Sequence, residues 1–79
     1  MSFSRNDPNV NQYDGIEVLV FEAGVLRILR KQRSLTVKKL AEISGVAERY
    51  IYMLEHGKKD NPTLHVLRQL GKALGVAFI

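Results

Sequence analysis

Seventy-nine residues, 46% apolar and 25% charged, are enough for one small globular domain with a limited core. The absence of cysteine excludes a disulfide framework and a thiolate metal site, and the two isolated histidines, His56 and His65, are too few for a metal cluster. The formal net charge is +4, and its distribution is uneven: nine Lys/Arg stand against three Glu between residues 24 and 59, which marks the centre of the chain as the part that would meet a polyanion.

No run approaches the roughly 18–20 apolar residues that cross a bilayer, and no signal-peptide core is present, so a cytoplasmic setting is expected. Residues 1–15 are polar, rich in asparagine and without apolar period, and read as a flexible arm preceding a domain over 16–79. The stretch Gly15–Phe21 is ambiguous. Ile16, Val18 and Val20 fit a short strand, whereas Leu19, Ala23 and Leu26 fit one helical face; the β-branched content favours the strand.

From about Glu22 the period becomes helical, with Leu26 and Leu29 inward, Val25 and Ile28 beside them, and Arg27, Arg30, Lys31 and Arg33 filling the remaining positions. Ser34-Leu35 ends this helix. Thr36 can cap a second helix over Val37–Ser44, burying Val37, Leu40, Ala41 and Ile43, and Gly45 supplies a left-handed terminus. A third helix is expected from about Ala47 to His56, burying Ile51 and Leu54, with Tyr50 packed partly on the domain and its hydroxyl at the surface. After the loop Lys58–Pro62, Thr63 caps a fourth helix to Leu74 with Leu64, Leu67, Leu70 and Leu74 on one face. Gly71 interrupts it at a cost of about 1 kcal/mol relative to alanine, which suggests close packing there. The tail Val76–Ile79 is too apolar to be free. It and Ile16–Phe21 could pair with each other or with a second copy. The whole reads as all-α, four to five short helices with a possible extended N-terminal segment.

The sharpest signal is Leu40-Ala41-x-x-Ser44-Gly45-Val46, followed by Ile51 and Leu54-Glu55-x-Gly57. A steep crossing of two helices needs a small residue, here Ala41, and the turn between them needs a residue that tolerates positive φ, here Gly45. Together with Leu26-Arg27-x-Leu29-Arg30, Asn61-Pro62-Thr63-Leu64 and Ala73-Leu74-Gly75-Val76, this pattern resembles the lambda repressor/Cro-like helix-turn-helix family, the XRE-type regulators of bacteria and phage. The resemblance runs from about Gly24 to Val76.

What the resemblance implies is a third helix lying in the major groove of double-stranded DNA, with Ala47, Glu48, Arg49, Tyr52 and Met53 facing the bases. Arg49 can donate two hydrogen bonds to guanine or hold a phosphate; Glu48 can accept from cytosine or simply suit the positive end of its helix. Tyr52 can touch a thymine methyl, donate to phosphate, or be a plain exposed tyrosine. Thr36, Lys38 and Lys39 at one helix N-terminus suit a phosphate clamp, and Lys58 and Lys59 fall where the family has a backbone-contacting loop. His56 can reach a phosphate or merely end its helix. Arg30 and Glu55 match a family salt bridge between the first and third helices. The chain departs from the family at Val37, where a glutamine is common, at Ala47, where a serine-like cap is common, and in a fifth helix expected to be missing or reduced to Val76–Ile79. The expected function is sequence-specific transcriptional regulation, as a repressor-like homodimer on a two-fold operator, with no cofactor. The alternative is an antitoxin-like protein-interaction module. The chain offers no paired carboxylates, nucleophile–base set, phosphate-cradling glycine loop or metal-ligand spacing, so catalysis is not expected.

Overall fold

A computed structural model describes residues 15–59 and 61–79; the arm read over 1–15 lies, apart from Gly15, outside the described residues. The elements in chain order are β1 (Glu17–Leu19), α1 (Ala23–Gln32), α2 (Val37–Ser44), α3 (Glu48–Glu55), α4 (Leu64–Leu74) and β2 (Val76–Phe78).

The helix boundaries follow local chemistry. The Oγ1 of Thr36 accepts from the amide of Lys39 at 3.0 Å, and that of Thr63 accepts from Val66 at 3.2 Å, satisfying donors that an uncapped first turn leaves open. Gly45 (φ 76°) and Gly75 (φ 75°) end α2 and α4 in the left-handed region. The α1–α2 link turns instead at Ser34, with φ 55°. Ala47 caps α3 without a side-chain hydrogen bond.

Each helix buries one stripe. Leu26 and Leu29 from α1, Leu40 from α2, Ile51 and Leu54 from α3, and Leu70 and Leu74 from α4 form the core, joined by Val46, Val76 and Phe78. Three sequence expectations are corrected here. Ile43 is half exposed, because the α2 stripe runs Val37, Leu40, Ala41, Ser44 and the buried Ser44 takes the place assigned to isoleucine. Ile28 is exposed on the outer side of α1. Leu64 is also exposed: it precedes Gly71 by two turns on the same side of α4, and there it lines an open groove instead of the core.

The two apolar end segments pair with each other. β1 and β2 run parallel, in the register Glu17↔Val76, Val18↔Ala77 and Leu19↔Phe78, with all four helices forming the crossover between them. The pairing extends through Ile79, whose amide donates to the Leu19 carbonyl and whose carbonyl accepts from Phe21, both at 2.9 Å. Inward-facing Phe21 and Phe78 meet edge to face at 5.4 Å. The helical reading is thus joined by a small strand pair.

Gly71 explains how β2 lies so close to α4. A Cβ built on it would stand 2.5 Å from the Val76 carbonyl oxygen, a backbone atom that cannot swing aside. Gly71→Ala should therefore destabilise by about 1–3 kcal/mol, the overpacking penalty exceeding alanine's helix propensity gain of roughly 1 kcal/mol. Thermal unfolding checks the sign: a raised Tm would contradict the close approach.

Candidate nucleic-acid interface

α2 and α3 pack as a helix-turn-helix. The turn is held by the buried Ser44, whose Oγ accepts from the amide of Val46 at 3.1 Å, and by the left-handed Gly45. Val46, Ile51 and Leu54 anchor α3 to the domain, which leaves its opposite side in solvent. On that side Ala47, Glu48, Arg49 and Tyr52 are exposed and Met53 is half-buried. Positions 48 and 52, and likewise 49 and 53, lie one turn apart, so the five residues form one continuous strip along the first two turns. Glu48 occupies the first turn of α3, where its charge is favoured by the helix dipole.

The C-terminal end of the strip is organised around Tyr52. The His56 ring stacks on it with centroids 4.0 Å apart, and His56 Nδ1 lies 2.8 Å from the Tyr52 carbonyl, positioned to donate to it. Lys58 Nζ stands 5.6 Å from the Tyr52 ring centroid. The tyrosine is therefore held by its neighbours while its ring remains about half exposed. Lys59 sits instead over Tyr50, with Nζ 5.0 Å from that ring. The Tyr50 hydroxyl does not reach the surface as expected. It is buried without a hydrogen-bond partner among the described residues, because Tyr50 shares the inward side of α3 with Leu54.

A second cationic group lies at the start of α2. Thr36, Lys38 and Lys39 are all exposed. The Thr36 hydroxyl accepts from the Lys39 amide and keeps its own proton free to donate outward. Lys39 Nζ lies 3.6 Å from Glu42, a solvated pair that an incoming anion can displace at little cost. Val37, where family members commonly have glutamine, is half-buried against the core.

Behind the strip, Arg30 grips Glu55. Arg30 Nε and Nη2 donate to the two carboxylate oxygens at 2.7 and 3.0 Å, and Nη1 donates to the Leu35 carbonyl at 2.7 Å. The hydrogen bond to Glu55 raises the guanidinium pKa above its ordinary value, desolvation opposes that shift, and Coulomb attraction to Glu55 adds to it. This one side chain ties α1, the α1–α2 link and the end of α3 together.

A family model described as helix-turn-helix matches residues 26–78. The chain belongs to this helix-turn-helix family. The helix-turn-helix chain is 40% identical over 53 residues to the HTH-type transcriptional repressor RghR of Bacillus subtilis, an alignment covering 67% of this chain and 39% of that protein. It is 37% identical over 51 residues to the uncharacterized HTH-type transcriptional regulator y4dJ of Sinorhizobium fredii, covering 65% of each. Among solved structures, a chain of the SinR protein/SinI protein complex superposes with a TM-score of 0.69 at 26% identity, over 72% of this chain and 55% of that one. The helical frame is lambda repressor-like. The chain spans 39% and 65% of the length of these two curated relatives.

Gln69 is a contributor to the helix-turn-helix that no sequence signal singled out. Its Nε2 donates to the Ser44 carbonyl at 3.2 Å, so α4 braces the C-terminus of α2 beside the turn. The Leu35 carbonyl that receives Arg30 was equally silent, since a backbone acceptor carries no residue-type signature.

Proposed function

We propose that this chain is the DNA-binding unit of a transcriptional regulator, reading duplex DNA by placing α3 in the major groove. The observation that carries the reading is the outward strip of Ala47, Glu48, Arg49, Tyr52 and Met53 on α3, with exposed lysines at the start of α2 (Lys38, Lys39) and after α3 (Lys58). In this reading Arg49 and Glu48 meet base edges, and Tyr52 meets a thymine methyl or a phosphate. Thr36, Lys38 and Lys39 hold one stretch of phosphates from the N-terminus of α2. His56, Lys58 and Lys59 hold another at the end of α3. Catalysis plays no part, and the setting is cytoplasmic; no helix among the described residues is long and apolar enough to cross a membrane. One such unit touches few base pairs, so two copies on a two-fold operator supply the affinity.

Mobility shifts on duplex DNA at two salt concentrations test this reading. Affinity should fall steeply as salt rises, because bound cations release counterions. Lys38→Ala should weaken all sequences alike and lower the salt slope by about one, whereas Arg49→Ala should cost about 1–3 kcal/mol on a selected site and relax its sequence preference. No binding at low salt would refute the proposal.

A second reading has its own support. The solved structure that this chain resembles is a complex of SinR protein with SinI protein, so a protein partner for this chain, as in an antitoxin-like module, is the alternative that a failed DNA titration would promote.

A further inference from the structure

An open groove of about 910 Å³ lies between α4 and the outer face of the sheet. Its α4 wall includes Leu64, Arg68, Gly71 and Gly75, which recur at helical spacing and share one side of the helix over roughly 16 Å. The facing wall is apolar, with Ile16, Ala77 and Ile79. Strand alternation turns Ala77 and Ile79 outward, because Val76 and Phe78 enter the core. Leu64 is 59% exposed and Ile79 68%, so apolar surface meets solvent on both walls. Exposed apolar residues gathered in one concave place mark an interaction surface.

The charge along this groove has one sign. None of the described residues that line it is acidic, whereas His65, Arg68 and Lys72 do line it. These three follow one another along α4 at i, i+3 and i+7. Arg68 and Lys72 are exposed, and no carboxylate among the described residues bridges to either. A matching ligand therefore combines apolar surface with negative charges that repeat at about one helical turn. A compact anion meets only the cations, and an uncharged apolar molecule leaves them unused. Small-molecule sites bury most of their ligand, whereas this groove is open along its length. An amphipathic helix meets each demand: apolar residues on one side, carboxylates beside them at the same repeat, and three turns to match the wall.

We propose that this groove receives an acidic amphipathic helix of a protein partner. The helix lies along α4, its apolar side on Leu64, Ala77 and Ile79 and its carboxylates toward Arg68 and Lys72. The groove belongs to α4 and the sheet, whereas α3 packs on α1 and α2, so the partner leaves the exposed strip of α3 uncovered. The inference goes beyond the DNA reading and does not depend on it.

Selection of displayed random peptides of about 16 residues, long enough for four turns, on the full chain tests the proposal. Enriched peptides should be net acidic, with apolar residues three and four positions apart. A synthetic copy of one should become helical on binding and shift the amide resonances of Leu64, Arg68, Lys72, Ala77 and Ile79. The pair Arg68→Glu and Lys72→Glu should weaken it at least ~10-fold. The same peptide with lysine in place of its acids should bind that double variant better than it binds the parent chain. Leu64→Glu should also weaken the original peptide. Leu64, Arg68 and Lys72 are all exposed, so these variants should keep the parent's far-ultraviolet circular dichroism. Failure to enrich acidic helical peptides overturns the proposal, as does a peptide that maps elsewhere or ignores the variants. Laurate binding at these residues with no peptide enriched assigns the groove to a small amphiphile. Shifts of the same amides with concentration of the peptide-free chain assign it to a second copy. Either result overturns the proposal. Duplex binding measured on the same samples separates the two readings. A chain that binds the peptide and ignores DNA keeps the groove and loses the role of α3, and a chain that binds only DNA does the reverse.

Discussion

Replacing Glu55 with alanine is expected to lower stability by about 3–5 kcal/mol, comparable to the whole stability of a chain this size. The Glu55 side chain is 2% exposed and receives both donors of Arg30, itself 12% exposed. Removing the carboxylate leaves a guanidinium held beneath the domain surface with only the Leu35 carbonyl as partner. The penalty is that of an orphaned charge and exceeds what the bridge contributes over a neutral replacement. Arg30→Met combined with Glu55→Leu should accordingly recover most of the loss. Urea unfolding of the two single variants and the double variant measures this coupling; a cost for Glu55→Ala below about 1 kcal/mol would place the pair among ordinary surface bridges. The pH dependence carries a sign as well. The guanidinium pKa is raised in the folded chain, so its stabilising contribution is fully present below the unfolded value and is lost only as pH rises through the guanidinium range. Across neutral pH, Arg30 should therefore contribute no slope.

Phe78→Ala should cost a similar amount, about 3–5 kcal/mol, for a different reason. Phe78 is 7% exposed, lies four residues past the end of α4, and closes the core while meeting the Phe21 ring. Its loss opens a cavity and removes the contact that holds β2 against the domain. The amides of Phe21 and Ile79, which close the strand pairing at 2.9 Å each, should then exchange with solvent ahead of the helical core. Hydrogen exchange followed residue by residue, beside urea unfolding, checks both parts. A cost within about 0.5 kcal/mol would mean that β2 behaves as a surface appendage.

The candidate site was legible to unequal degrees. Gly45 and Ala41 announce the turn and the crossing because each position admits few residue types, and Thr36 and Thr63 announce helix starts because a hydroxyl there satisfies an open amide. The strip on α3 was named through the family resemblance and not through spacing; with Ile51 and Leu54 buried, positions 48, 49 and 52 lie in solvent and Met53 is half-buried. Tyr50 was misjudged because its place beside Leu54 on the inward side was outweighed by the usual preference of a tyrosine hydroxyl for water. Ile43 and Leu64 were misjudged because hydrophobic periodicity reports which residues could be buried and does not report how far the neighbouring elements extend to cover them.

What the sequence by itself determined is the helical frame from Ala23 to Leu74, its caps and turns, and the cation-rich helix-turn-helix within it. Those features depend on interactions within a few residues, which spacing and residue type express directly. Only the tertiary structure decided that Glu17–Leu19 and Val76–Phe78 pair, that they run parallel, and that one of their faces stays in solvent. Strand pairing joins segments almost sixty positions apart in the chain, and its register is set by hydrogen bonds and by the room that Gly71 leaves for the Val76 carbonyl. That close approach is a property of two backbones meeting, and no local pattern of side chains encodes it.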